Sequence, residues 1–417
     1  MKRSRWVLAA GGIAGLLAVY LVVTPFVRDY VLQFTGAVRE RSEGEALAYR
    51  LVSTDSLLEY SMTHPDQVAL ACWEIGDEAN GIFFNAGRSQ PAAQLSALLV
   101  LAAYAPDAGQ HELGGATVSL AHWERYWLPG TDGGAHLAAL FEVRASGALH
   151  EVTSHDRIAG SAETASGSVH FREIARAMIR HADPSAMDVL IDHLGRGRLT
   201  ERVLGLGFPL EAVPLPSSAV QRLMLTGDAA PELLARYRAL QRTGYADEVW
   251  RQFALLRARN VKRIERQRTG FSLRETAALS AALAPRGTAE QYGRLLQRIV
   301  TGELPGADYM RAQLDLPLTA AGSHSELAQF GTVRASEPGL YASVSHARAR
   351  GARAQRVLAL MFRKLPMGVW LHLSSGNLLR RFEGQLLGDD AFFAKARAQL
   401  NPRRSMNEGA EARYWSR

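Results

Sequence analysis

The chain has 417 residues, 47% of them hydrophobic and 21% charged, which excludes a disordered polymer. Its net charge of +7 comes from 48 basic against 41 acidic residues and is spread along the chain. That spread describes a solvated Arg-rich surface and excludes a concentrated nucleic-acid patch, and the single cysteine, Cys72, excludes an internal disulfide.

The N-terminus, MKRSR, carries three positive charges and no acid, and Trp6 to Val27 then runs for 22 residues without a charge. As a helix that run spans roughly 33 Å, enough for a hydrocarbon core of about 30 Å. The exit, Thr24-Pro25-Phe26-Val27, lacks the small-residue pair of a cleavage site, so an uncleaved anchor is expected. The Lys/Arg bias places residues 1–5 in the cytoplasm as a short tail, residues 6–27 in the inner membrane and the rest on the periplasmic side. Residues 28–65 read as a stalk helix, 66–400 as the main domain and 401–417 as a basic flexible tail.

From Asp66 the pattern changes to strands. Residues 66–76 and 82–87 form an expected hairpin around a turn at Asp77 to Gly81, and Cys72 falls in its apolar run as a buried, inert thiol. Pro91 then opens a buried Ala/Leu-rich helix over residues 92–105. Leu137 to Val152 reads as a small hairpin, Phe171 to Leu194 as one helix stopped by Gly195, and Leu199 to Gly207 as a short helix. Pro209 to Ser218 is a Pro-rich loop, and Glu232 to Arg266 a long Arg-bearing helix. Ser272 with Glu275 makes a capping box for a helix over 273–283. Strands are expected at Glu326 to Arg334, Leu340 to His346 and Arg356 to Phe362, with a closing helix over 378–400. The sheet is thus assembled from residues 66–90 and 325–400, around a helical subdomain, 91–324.

Three landmarks in this order, IFFNAGRSQPAAQLSALLVLAAY (82–104), MIRHADPSAMDVLIDHLG (178–195) and QFGT (329–332), resemble the class A β-lactamase and penicillin-binding-protein transpeptidase superfamily. The resemblance covers 66–400. It implies an α/β (α+β) fold: an antiparallel sheet of about five strands flanked by helices, plus an all-helical subdomain.

The family's chemistry needs Ser-x-x-Lys on one helix face, where serine is acylated and lysine helps remove its proton. Aligned on Pro91, those positions fall on Gln94 and Ala97. No Ser-x-x-Lys occurs anywhere; residues Arg259, Met361 and Phe392 stand three before Lys262, Lys364 and Lys395. Ser-Asp-Asn becomes Ala182-Asp183-Pro184, keeping only an aspartate whose family role is to tie down its loop. Lys-Thr-Gly becomes Gln329-Phe330-Gly331, and the glutamate that activates water would lie near Glu211. With three motifs degraded, no catalytic residue is assigned, and the expectation is a pseudoenzyme with a binding or scaffold role, toward peptidoglycan or an envelope protein.

The alternative is an active serine hydrolase with a non-standard nucleophile. Ser96 and Ser89 are its candidates, against their plainer readings as a small helix residue and a turn residue, and His181 has no evident partner set. His111, His122, His136, His150, His155 and His193 lack tight ligand spacing, so no metal is expected, and no cofactor motif is present: GTDGG (130–134) lacks the lysine of a phosphate loop.

Overall fold

The computed structural model describes residues 42–108, 115–129, 131–150, 167–224, 229–258, 271–316, 326–351 and 355–401. The anchor expected at 6–27, the tail at 1–5 and residues 402–417 lie outside them. No helix among the described residues is long and apolar enough to cross a membrane.

The described part of the segment read as a stalk does not stand apart from the domain. It forms α1 (Glu45–Ala48) and α2 (Thr54–Thr63), the latter started by a Ser53/Ser56 capping box. Leu57, Leu58 and Tyr60 are at most 2% exposed and belong to the core under the sheet. A free stalk would leave those side chains in water, and burying each is worth about 2 kcal/mol.

Strands β1 (Val68–Glu74) and β2 (Asp77–Phe84) follow. The turn between them is Ile75-Gly76, and 77–81 lies inside β2 instead of forming the expected loop. Gly76 adopts φ 93, the positive value that a two-residue hairpin demands. A short three-ten turn, Ala93–Ser96, then leads into α3 (Ala97–Ala108), buried along nearly its whole length as its Ala/Leu composition predicts.

The subdomain expected to be all helical also holds short strands. Thr117–Ser119, Leu149–His150 and Ser168–His170 form one small sheet, and Arg286–Gly287 pairs with Gln90–Pro91. Its helices depart from expectation at their breaks. Residues 137–145 are helical, in α4 (Ala135–Ala145), with His136, Ala139, Leu140 and Val143 buried at helical spacing. The stretch 171–194 is two helices, α5 (Phe171–Arg180) and α6 (Pro184–Gly205). Asp183 caps α6 and Pro184 takes its first turn, where a missing N–H costs nothing. Gly195, at φ 71 and ψ 159, is non-helical and divides α6 into two helical segments, the break expected there. Helix α7 (Ser217–Met224) follows the Pro-rich loop. The Arg-bearing stretch is also broken, into α8 (Ala230–Ala239) and α9 (Gln241–Arg257), at Gln241 with φ 55. Tyr237, Tyr245, Val249 and Phe253 are buried, so this arm packs on the domain. Helix α10 (Leu273–Leu283) carries the expected Ser272/Glu275 capping box, and α11 (Ala289–Val300) and α12 (Ala307–Leu314) lead back to the sheet.

Strands β3 (Leu327–Glu337), β4 (Leu340–Ala349) and β5 (Arg356–Phe362) complete a five-stranded antiparallel sheet of order β2-β1-β5-β4-β3. The two chain ends meet through β1 and β5, with Val68 opposite Phe362 and Trp73 opposite Val357. Central β1 is buried on both faces and alternates between two cores. Ala69, Ala71 and Trp73 join the core shared with α3 and α11, and Val68, Leu70 and Cys72 the core under α2. That second face is closed by α13 (Met367–Ser375), α14 (Leu378–Gly388) and α15 (Asp390–Leu400), where a single closing helix was expected. Cys72 is fully buried, and burial pushes its thiol up to about 12.

Candidate functional site

A cavity of about 1050 Å³ lies where the start of α3, edge strand β3 and the helical subdomain meet. Two of the sequence landmarks reach it. Gln94 and Ser96 line it from the three-ten turn, beside Ala93, whose φ of 47 is a left-handed value uncommon for a residue with a Cβ. The Ser96 hydroxyl is spent locally, donating to the Ala93 carbonyl at 3.0 Å, and the residue is 3% exposed. Ala97 is buried one turn on and is not part of the lining. Ser89 lies outside the cavity, its carbonyl accepting from Arg286 at 3.0 Å.

The second landmark is the break between α5 and α6. His181 and Ala182 line the cavity, and Ala182 has φ 54. His181 has a partner that the sequence did not disclose: its Nε2 stands 2.5 Å from Glu142 Oε2, on α4. Asp183 turns away from the cavity and is 1% exposed. Its Oδ2 accepts from Trp123 Nε1 at 3.0 Å and lies 3.1 Å from His136 Nδ1. Its Oδ1 accepts from the Ser185 amide at 2.9 Å and hydroxyl at 2.7 Å. The aspartate therefore ties Trp123, His136 and Ser185 together. His136 is fully buried in this knot.

The third landmark is misplaced. Gln329, Phe330 and Gly331 lie toward the far end of β3 and do not line the cavity. Gln329 Nε2 donates to Asp315 at 3.1 Å, and Phe330 is packed in the core under the sheet at 1% exposure. Gly331 is required by the ring of His346 across the strand pair: a Cβ there would sit 2.2 Å from His346 Nε2.

The end of β3 that does border the cavity is Arg334 to Glu337. Side chains alternate across a strand, so Arg334 and Ser336 share one face. Arg334 donates to Glu383 Oε2 from Nη2 at 2.6 Å and from Nε at 3.2 Å, and Tyr341 donates its hydroxyl to Oε1 at 2.8 Å. Burial alone would lift the Glu383 carboxyl, but the Arg334 charge and these hydrogen bonds hold it below its usual value. Ser336 Oγ lies 2.8 Å from Ser374 Oγ and accepts from Trp370 Nε1 at 3.1 Å, closing the α13 wall. Glu337 faces Ser280 of α10, and burial raises its carboxyl.

An arginine and a glutamate three residues apart, just before the Pro338-Gly339 turn, were the available signal for this end of the strand. The opposite wall was not legible. Glu211 sits outside the cavity in a three-ten turn, 210–212. Helices α7 and α10 supply Val220, Met224, Ser280 and Leu283 to the lining instead. The described lining contains no lysine, and no group of three or more His, Cys, Asp or Glu among the described residues could hold a metal ion.

Comparison with solved structures finds the chain similar to β-lactamases and to a penicillin-binding protein. L2 complexed with relebactam is 13% identical, with 83% of this chain and 99% of that one covered, at a TM-score of 0.44. A β-lactamase from Sphaerobacter thermophilus DSM 20745 is 13% identical over 79% and 95%, at 0.43. A PBP-A mutant, an acyl-enzyme complex with penicillin G, is 11% identical over 80% and 94%, at 0.41. No protein-family model matches the sequence, and no curated protein matches it.

Proposed function

We propose that this chain is a membrane-anchored, periplasmic β-lactamase-like domain that has lost acyl-transfer chemistry and acts as a binding or scaffold component of the cell envelope, toward peptidoglycan or a partner protein. The observation that carries this reading is at the start of α3. The side chain aligned with the nucleophile is Gln94, beside a large cavity, and the residue one turn on is the buried Ala97. An amide is no nucleophile for acyl transfer and a methyl group no base. Ser96, the nearest hydroxyl, already donates within its own turn. The loss of one preorganised group costs about a hundredfold or more in rate, and here several are absent together. A cavity of this size, lined by apolar side chains such as Met187, Leu215 and Leu283 and by polar ones such as Gln94, His181 and Arg334, is still suited to holding a ligand.

The test is acylation. The purified full chain, in detergent, is incubated with a fluorescent penicillin and examined by gel and by intact mass. No adduct is expected; a stoichiometric adduct lost in Ser96→Ala would establish a serine hydrolase instead. The location is tested separately, with a periplasm-active reporter fused after Arg417, which should be active where a cytoplasm-only reporter is silent.

A further inference from the structure

Where the described chain begins, the turn after α1 carries two of the most exposed large apolar side chains among the described residues. Tyr49 is 71% exposed and Val52 68% exposed. Between them stands Arg50, and beside them the first turn of α14 brings Arg380 and Arg381, both exposed. The patch is one surface: Arg381 Nη2 reaches the Val52 carbonyl at 3.5 Å, and His372 Nε2 bonds the Leu51 carbonyl at 2.8 Å. Two of its acids are ion-paired, Glu43 with Arg274 at 3.0 Å and Asp55 with Lys395 at 2.9 Å; Glu45, which accepts from the Tyr49 hydroxyl at 3.1 Å, keeps its charge against the three arginines. Arg50 and Arg380 have no partner among the described residues.

An aromatic and a branched apolar side chain flanked by arginines in excess of acids is the composition that settles at a bilayer interface carrying anionic headgroups. Location agrees. Only residues 28–48 lie between the uncharged run and Tyr49, a reach of at most about 75 Å fully extended. We propose that the face formed by Tyr49, Arg50, Val52, Arg380 and Arg381 docks onto the anionic lipid leaflet from which the chain emerges. This rests on the anchor reading above. Arg380 also lines the cavity, so docking sets that side of the cavity against the headgroups and limits entry to ligands arriving along the membrane surface.

The test uses the full chain reconstituted in vesicles of phosphatidylcholine with roughly one-third phosphatidylglycerol. Cys72 is fully buried, so a cysteine introduced at Tyr49→Cys or Val52→Cys is the one that takes an environment-sensitive dye. Leu204→Cys, 46% exposed and on the helical subdomain, is the control. Emission from positions 49 and 52 should shift to the blue and be quenched by lipids brominated near the headgroup, while position 204 is unaffected. Arg50→Ala with Arg380→Ala should lower the docked population on the order of thirtyfold, as does omitting the anionic lipid.

If the chain floats with the vesicles but positions 49 and 52 stay unquenched, docking is overturned and the anchor stands. If the chain does not float, both fall. Quenching that survives the arginine substitutions overturns the role of charge. A blue shift without lipid quenching, seen only with envelope extract, assigns the face to a protein.

Discussion

Arg334 and Glu383 form a hydrogen-bonded ion pair at the cavity floor, 2.6 Å apart, with the carboxylate fully buried and the guanidinium partly open to the cavity. This pair spends the cation that edge strand β3 brings to the site. Removing one member of such a pair strands the other, at a cost of about 3–5 kcal/mol. Arg334→Ala and Glu383→Ala should each lose about that much in urea unfolding, and Arg334→Met with Glu383→Leu should recover most of it. Because the Glu383 carboxyl lies below its usual value in the fold, its contribution is present above the unfolded value and is lost as pH falls through the folded one. The wild-type advantage over Glu383→Gln should therefore shrink on acidification.

Gly331 makes room for the His346 ring, which stands 3.0 Å from Asp315 and accepts from Gln355 at 2.8 Å. Gly331→Ala should cost about 1–3 kcal/mol by overpacking. The same substitution should cost much less in a His346→Ala background, because the colliding ring is gone. Equal costs in both backgrounds, measured as a double-mutant cycle, would sink this account.

Asp188 is a fully buried acid that caps α7, accepting from the Ser217 and Ser218 amides at 2.7 Å each. Burial raises its carboxyl to about 7, against the pull of those hydrogen bonds. Between the unfolded value near 3.8 and the folded one, the unfolded chain binds fewer protons, so this group's contribution falls as pH rises through that window. Asp188→Asn should accordingly cost more stability at pH 5 than at pH 8, on either side of that folded value. Denaturant midpoints of both proteins at the two pH values decide it.

Restoring Gln94→Ser and Ala97→Lys should not restore acylation. Ala97 is 4% exposed, so a lysine there enters the core, and burying an unpaired ammonium is strongly unfavourable. The expected result is a destabilised protein without a penicillin adduct; a stable variant that acylates at position 94 would show the remaining machinery to be intact.

The strands at Val68 and Arg356, the buried helix after Pro91 and the Ser272 cap could be read directly from the chain. Each is written in local signals: a long apolar run, helical Ala/Leu composition, a capping box. The missing Ser-x-x-Lys is equally local, since it needs only two residues three apart. What only the tertiary structure decided were relationships between distant segments. The Glu142 partner of His181, the burial of His136 against Asp183, and the meeting of Arg334 with Glu383 join residues 39 to 49 positions apart. The position of Gln329 to Gly331 relative to the cavity was also beyond the sequence. Strand periodicity fixes which face a residue takes, but not which end of an eleven-residue strand opens on the cavity. That is set by where α3, α10 and α14 pack, and packing is a property of the whole fold.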